Sequence, residues 1–208
     1  CNHPNILEKS DPPMPKLSDA YAVRTTLQRL VGCSGKLQLL SKLLPKLRQE
    51  GRKVLIFSQM KRMLDILEDF LALSFLPYER LDGSVAQKER QASIDRFQTG
   101  GHHEAFIFLL STKAGGVGIN LTAADTCVIF DSDWNPQNDL QGMARCHRIG
   151  QTNQVVIYRL ITNGTYEKAM FARAQTKLAL DAALLGSGDT ADASGVGGGL
   201  GEGGGKGK

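Results

Sequence analysis

Apolar residues recur along this chain in two rhythms. In "SGKLQLLSKLLPKLRQEG" (34–51), Leu37, Leu40, Leu44 and Leu47 return at intervals of three and four, the spacing of one helical face. Pro45 predicts a kink or a split in that helix, because it lacks an N–H and crowds the preceding turn. Gly51 predicts its stop. "MKRMLDILEDFLALS" (60–74) carries the same amphipathic rhythm. Between the two, "KVLIFS" (53–58) is apolar without interruption, which predicts a strand buried on both faces.

The alternation repeats. "YERLDGS" (78–84) predicts a strand entering a turn, with Ser84 and Gln87 as a capping box for a helix to Phe97. "EAFIFLLST" (104–112), "DTCVIFDSD" (125–133) and "VVIYRLIT" (155–162) predict three more strands. Asn135 followed by Pro136 predicts the cap and first turn of a helix across "NPQNDLQGMARCHR" (135–148). Thr165 is placed to cap a last helix to about Leu185, on which Tyr166, Met170, Ala174, Leu178 and Leu185 share an apolar stripe. Strands alternating with helices predict an α/β fold, a parallel sheet with helices on both faces.

The ends differ from this middle. Residues 1–32 read as a loosely built connecting segment, with the Pro-rich spacer "SDPPMP" (10–15) and a short helix in "LSDAYAVRTTLQRLV". Residues 33–163 form the α/β domain and 164–185 a bracing helix. The tail 186–208 holds 11 of the 23 glycines and predicts disorder. The opening "CNHPNILEKS" has no initiator Met and predicts a piece of a longer protein.

Length and composition, 208 residues with 41% hydrophobic and 22% charged, fit one folded domain with a sizeable core. No apolar run is long enough for a membrane span. Cys1, Cys33, Cys127 and Cys146 form no CxxC pair, favouring reduced thiols over disulfides or zinc. The net charge is +4, which permits a polyanionic partner without requiring one.

Several stretches carry candidate chemistry. "STKAGGVGINLT" (111–122) is a glycine-rich turn after a strand, where α/β folds bind ligands, though a tight turn with no ligand is an equal reading. It is not a phosphate-binding GxxxxGK[ST] loop, and "GCSGKL" (32–37) fails that pattern too. Arg145 and Arg148, three apart, predict paired guanidiniums on one helical face, suited to phosphate oxygens. A solvated basic face is the bland alternative, but the spacing Q-x3-R-x2-R-x-G-Q from Gln141 to Gln151 is hard to reach by chance. In "RLDGS" (80–84), Arg80 and neighbouring amides could meet a nucleic-acid phosphate, or the stretch is a plain turn. Trp134 is the only tryptophan, placed to stack on a base or sugar or to pack locally. Asp131 and Asp133 read as caps and turn formers rather than a metal pair, and His102–His103 and Cys146–His147 lack ligand spacing.

In their order, "KVLIFSQM", "RLDG", "STKAGGVGINLTAADTCVIFDSDWNPQND" and "QGMARCHRIGQ" resemble motifs four to six of superfamily-two helicases, as found in SWI/SNF-type chromatin-remodelling ATPases. The chromodomain-helicase-DNA-binding branch, in its Kismet-like subgroup, is the most similar in "ARCHRIGQ" and "NGTYEKAMFARAQTKLALDAALL". The resemblance spans about residues 1–185. It departs at Asn5-Ile6, where Tyr-Leu is usual, and at Gly142, where Ala is common.

The resemblance implies a RecA-like second motor lobe, joined to a first lobe through "CNHP", with ATP and Mg2+ in the cleft between lobes. Arg145 and Arg148 would be arginine fingers reaching that ATP. Gln141, Gly118 and Asn120 would line the nucleotide site. Gln59, Arg80, Asp82, Gly83, Thr112, Lys113 and Trp134 would lie along double-stranded DNA. The last helix would brace across to the first lobe. The resemblance also implies that the magnesium ligands would lie on that lobe; no Walker A lysine or Asp-Glu box appears in this chain, and hydrolysis would need both halves. Nucleosomes as partners and a place in the nucleus follow from the same resemblance. A catalytically inactive nucleic-acid-binding scaffold, or the lobe of a repair or RNA helicase, are the other readings. The first is opposed by the intact arginine pair, the second by "DSDWNPQND" and "HRIGQ".

Overall fold

The computed structural model describes residues 2–7, 14–112, 119–148 and 150–186. Lys113, Gly118 and the glycines between them, most of the Pro-rich spacer, and the tail from 187 lie outside the described residues.

Five strands form one sheet in the order β2-β3-β1-β4-β5: β1 (Val54–Ser58), β2 (Tyr78–Leu81), β3 (Ile107–Ser111), β4 (Thr126–Ile129) and β5 (Val156–Arg159). Every pairing is parallel, with β1 between Val54↔Ile107 on one side and Val54↔Thr126 on the other. Among the described residues the α-helices are α1 (Ala20–Gly32), α2 (Gly35–Gln49), α3 (Lys61–Leu73), α4 (Gln87–Thr99), α5 (Pro136–Met143) and α6 (Tyr166–Gly186).

The uninterrupted apolar run of β1 is explained by a core on each face. Val54 and Ile56 join Leu37, Leu44, Leu67 and Phe70 beneath α2 and α3. Leu55 and Phe57 point the other way, into a cluster with Ile94, Phe97, Cys127 and Cys146 beneath α4 and the end of α5. The period of two along a strand sorts one sequence into both cores. The sequence pattern therefore led to the architecture correctly: a parallel sheet covered on both faces.

The details differ in three places. Pro45 neither splits nor ends α2, which runs unbroken to Gln49. Leu44 and Leu47 are buried on either side of it, while Pro45 itself faces solvent, where water can satisfy the carbonyl that loses its partner. Ser84 does not cap α4. The helix begins after Ala86 with no side-chain cap bond, two residues beyond Ser84, whose amide and hydroxyl instead donate to Asp82 in the preceding turn. The helix after Asn135 ends at Met143, short of both arginines.

Residues 20–32 are more ordered than a loose connector. Asp19 caps α1 through a 3.0 Å bond from the Ala22 amide, Val23 is buried, and Leu27, Leu30 and Val31 pack on the core. Further upstream, the His3 ring bonds Leu30 O at 2.9 Å and accepts from the Asn5 amide at 3.1 Å. Helix α6 lies partly on the lobe. Met170 is buried, while Ala174 and Leu178 are half-buried beside Pro136 and Leu140 of α5. Among the described residues no helix is long and apolar enough to cross a membrane.

Gly142 sits in α5 directly over Phe57, where an added Cβ would meet the ring at 3.4 to 3.6 Å, ordinary contact. Ala should therefore gain helix propensity without a clash. Gly142→Ala is expected to stabilise the lobe by about 0.5–1 kcal/mol, read as a higher urea midpoint; a lower midpoint would show that Phe57 has no room to give.

Candidate nucleotide and nucleic-acid interface

The candidate residues fall into two groups that the sheet keeps apart. The first lies along the edge where the strands end. Gln59 follows β1, Asp82 and Gly83 follow β2, Thr112 follows β3, and Trp134 lies beyond β4. Ligand loops gather at this edge in open parallel sheets.

Asp131 organises this edge. It is buried, and it accepts from the Ser58 hydroxyl at 2.9 Å, the Gln59 amide at 2.8 Å and Asn2 at 3.0 Å. Burial raises its pKa, and the Gln59 and Ser58 bonds only partly offset that. The Gln59 side chain donates to Ser132 O, tying the loop after β1 to the loop after β4. Thr112 donates its amide to Ser58 O at 3.0 Å. Its hydroxyl is buried with no hydrogen-bond partner among the described residues.

Arg80 is not free to serve a phosphate. Its guanidinium bonds Asp65 and Asp82 at 2.7 Å, and also Glu68. Burial alone would weaken its charge, but these three carboxylates outweigh that and hold it more firmly protonated than usual. One cation among three anions leaves a local excess of negative charge, which disfavours direct phosphate contact. Asp65 and Glu68 come from α3, and nothing in the local stretch "RLDGS" announces them.

Burial likewise pushes the Asp82 carboxyl upward, but the Ser84 hydroxyl and amide, with Arg80, reverse this and bring it down to about 2. A depressed carboxylate pKa contributes stability above its ordinary value near 3.8 that is lost as pH falls toward about 2. Asp82→Asn should therefore lower the melting temperature at pH 6. The gap to the parent should close between about pH 4 and pH 2. A gap that stays constant across that range would mean the carboxylate's charge contributes nothing.

The second group surrounds the arginines. Beyond Met143 the chain tightens, with the amides of Arg145 and Cys146 each bonding the carbonyl three residues back, at 3.1 Å. Arg145 and Arg148 thus stand on successive tight turns rather than on one α-helical face. Arg145 is half-buried, and Arg148, exposed, opens on a hollow of ≈ 680 Å³ shared with His147, Gln151 and Gln154. Gly150 reverses the chain at φ +103, a backbone region open to Gly.

That reversal brings back Gln151, which sequence reasoning noted only as part of a spacing. Its side-chain amide donates to Ala124 O at 2.8 Å, Thr122 O at 3.1 Å and Cys146 O at 3.3 Å. It fastens the arginine turn to the segment carrying Asn120. Gln98 of α4 secures the same segment, donating to Asn120 O and accepting from Ala123 N, both at 2.8 Å. Asn120 and Gln141 are exposed. Asn120 borders a second hollow of ≈ 470 Å³ along α4. Amide side chains at spaced positions are the only sequence signal for this lacing.

Among the described residues no group of three or more His, Cys, Asp or Glu side chains is arranged to hold a metal.

The family model described as "Helicase conserved C-terminal domain" matches residues 35–150. Chromodomain-helicase-DNA-binding protein 7 of Homo sapiens is 56% identical over 189 residues, 89% of this chain and 6% of that protein. Chromodomain-helicase-DNA-binding protein 8 of Danio rerio is 57% identical over 89% of this chain and 8% of its own length. This chain therefore spans less than a tenth of either relative. Among solved structures, the C-terminal part of the Fun30 ATPase domain matches with a TM-score of 0.65 and 44% identity, covering 68% of this chain and 45% of that one. The sheet and its helices are thus a RecA-like C-terminal lobe.

Proposed function

The chain belongs to the helicase conserved C-terminal domain family, and on that premise we propose that it is the second motor lobe of an ATP-dependent, chromatin-remodelling DNA translocase. The observation that carries the reading is the arginine turn, laced by Gln151 to the segment bearing Asn120. A transition-state stabiliser acts only if it is held in place beforehand. Gln151 gives Arg145 and Arg148 that fixity without using their guanidiniums.

In this reading Arg145 and Arg148 reach the phosphates of ATP carried by a first lobe and neutralise charge as it develops. Gln141 lines the cleft, and Gly118 and Asn120 lie toward the ribose. Mg2+ is held by the first lobe. The strand-end edge, with Gln59, Asp82, Gly83, Thr112, Lys113 and Trp134, follows the backbone of duplex DNA. Arg80 acts from behind it, fixing Asp82 and through Asp82 the turn at Gly83 and Ser84. Lys113 is then the phosphate-binding cation of the set. The same reading implies nucleosomes as the substrate and the nucleus as the site of action.

The isolated 208-residue chain is expected to show no ATP turnover, since it supplies only one side of the site. Phosphate release measured with and without duplex DNA tests this. Turnover that disappears in Arg148→Ala would overturn the two-lobe reading, because one lobe would then suffice.

A further inference from the structure

We infer that Tyr166 is a positioning residue for Trp134, holding the indole in the attitude in which it meets duplex DNA. The inference rests on the DNA reading of Trp134 given above. The two rings lie 5.4 Å apart between centroids with their planes tilted by 43°. Both are largely exposed, Trp134 at 67% and Tyr166 at 56%, so burial does not force the contact on either of them.

The backbone beneath Trp134 is already fixed. Asp133 accepts from the Asn135 amide at 2.8 Å and donates its own amide to Asp139 at 3.1 Å. Only the indole remains to be ordered, and a freely rotating tryptophan would lose that freedom on binding. Tyr166 supplies a firm support because its neighbour Glu167 is pinned twice. Glu167 pairs with the buried Lys36 and accepts from the Thr162 amide at 2.9 Å. Tyr166 is also the first residue of α6, so the stack joins the strand-end edge to the bracing helix. Pre-ordered aromatic platforms suit stacking against a sugar or base, with most of the ring left open to the ligand.

Trp134 is the sole tryptophan of the chain, so its fluorescence reports this site alone. The 208-residue chain is titrated with a short duplex DNA, and the anisotropy decay of Trp134 is recorded without DNA. Tyr166→Leu is expected to enlarge the fast local motion of the indole and to weaken duplex binding about 3- to 10-fold. Tyr166→Phe, which keeps the ring, should behave as the parent. Far-ultraviolet circular dichroism of both variants should match the parent, since Tyr166 is exposed.

Tyr166→Leu with unchanged indole motion, or with unchanged affinity while Trp134→Ala binds weakly, would overturn the inference and leave the DNA reading standing. Equal weakening by Tyr166→Phe and Tyr166→Leu would also overturn it, since the ring would not be what matters. Trp134→Ala with full affinity would overturn the DNA reading of Trp134, and the inference with it.

Discussion

Replacing Lys36 by methionine should lower stability by about 3 kcal/mol, the scale of breaking a buried ion pair from one side. Lys36 has a side chain only 5% exposed and pairs with Glu167, itself 19% exposed. It also donates to Phe130 O at 2.7 Å and to Asn2 at 2.8 Å. Three separate parts of the chain therefore meet on one ammonium: the N-terminal segment, the end of β4 and the start of α6. Methionine keeps the aliphatic stem in place but leaves a half-buried carboxylate and a carbonyl without their donor. For a domain of this size the loss corresponds to a drop of roughly 6–12 °C in melting temperature. The matched carboxylate behaves consistently: burial pushes Glu167 upward, but Lys36 and the Thr162 amide outweigh it and hold its pKa low. A double variant, Lys36→Met with Glu167→Gln, should recover part of the loss, because the stranded charge is gone. If Lys36→Met melts with the parent, the three-way junction contributes nothing to the fold.

The sheet was legible because its strands are short apolar runs, which only a sheet buried on both faces can use. "KVLIFS", "EAFIFLLST" and "DTCVIFDSD" each contain a strand, trimmed at the ends where the ladder stops: β1, β3 and β4 are all shorter than the apolar stretch suggests. Of the kink or split that Pro45 predicts, the split does not occur: α2 runs through it, with Leu44 and Leu47 packed in the core. The helix that the Asn135–Pro136 cap starts is shorter than the stretch 135–148, ending at Met143. Beyond its end Cys146 is buried against the sheet and Gln151 donates to its carbonyl, contacts that are tertiary and invisible to local propensity. The same distinction runs through the site. Arg145 and Arg148 were findable from spacing and resemblance. Two of the three carboxylates around Arg80 were not, since Asp65 and Glu68 of α3 reach it only in the folded lobe. Lys36 sits on an amphipathic helix, and its partners Asn2, Phe130 and Glu167 all lie far away in sequence.

Arg145→Ala and Arg148→Ala, in the protein containing both lobes, should each slow ATP hydrolysis by about 10³-fold or more, roughly 4 kcal/mol of barrier. The two residues differ in setting. Arg148 is exposed on its hollow, whereas Arg145 is half-buried. Truncating Arg148 should therefore leave the melting temperature within about 1 °C of the parent. Truncating Arg145 should also cost some stability, so its kinetic effect must be read beside a melt. Neither residue belongs to the strand-end edge, so affinity for duplex DNA should change less than twofold in both. Gln151→Ala should reproduce a fraction of the loss without touching a phosphate, because it frees the turn that carries both arginines.

In the function proposed above, this lobe completes a nucleotide site whose other half lies on a first lobe. Single-turnover hydrolysis of ATP by the two-lobed protein carrying Arg148→Ala, with DNA affinity measured on the same preparation, tests it most directly. The expected result is a chemical step slowed by about 10³-fold with DNA binding intact. Hydrolysis at the parent's rate would contradict it.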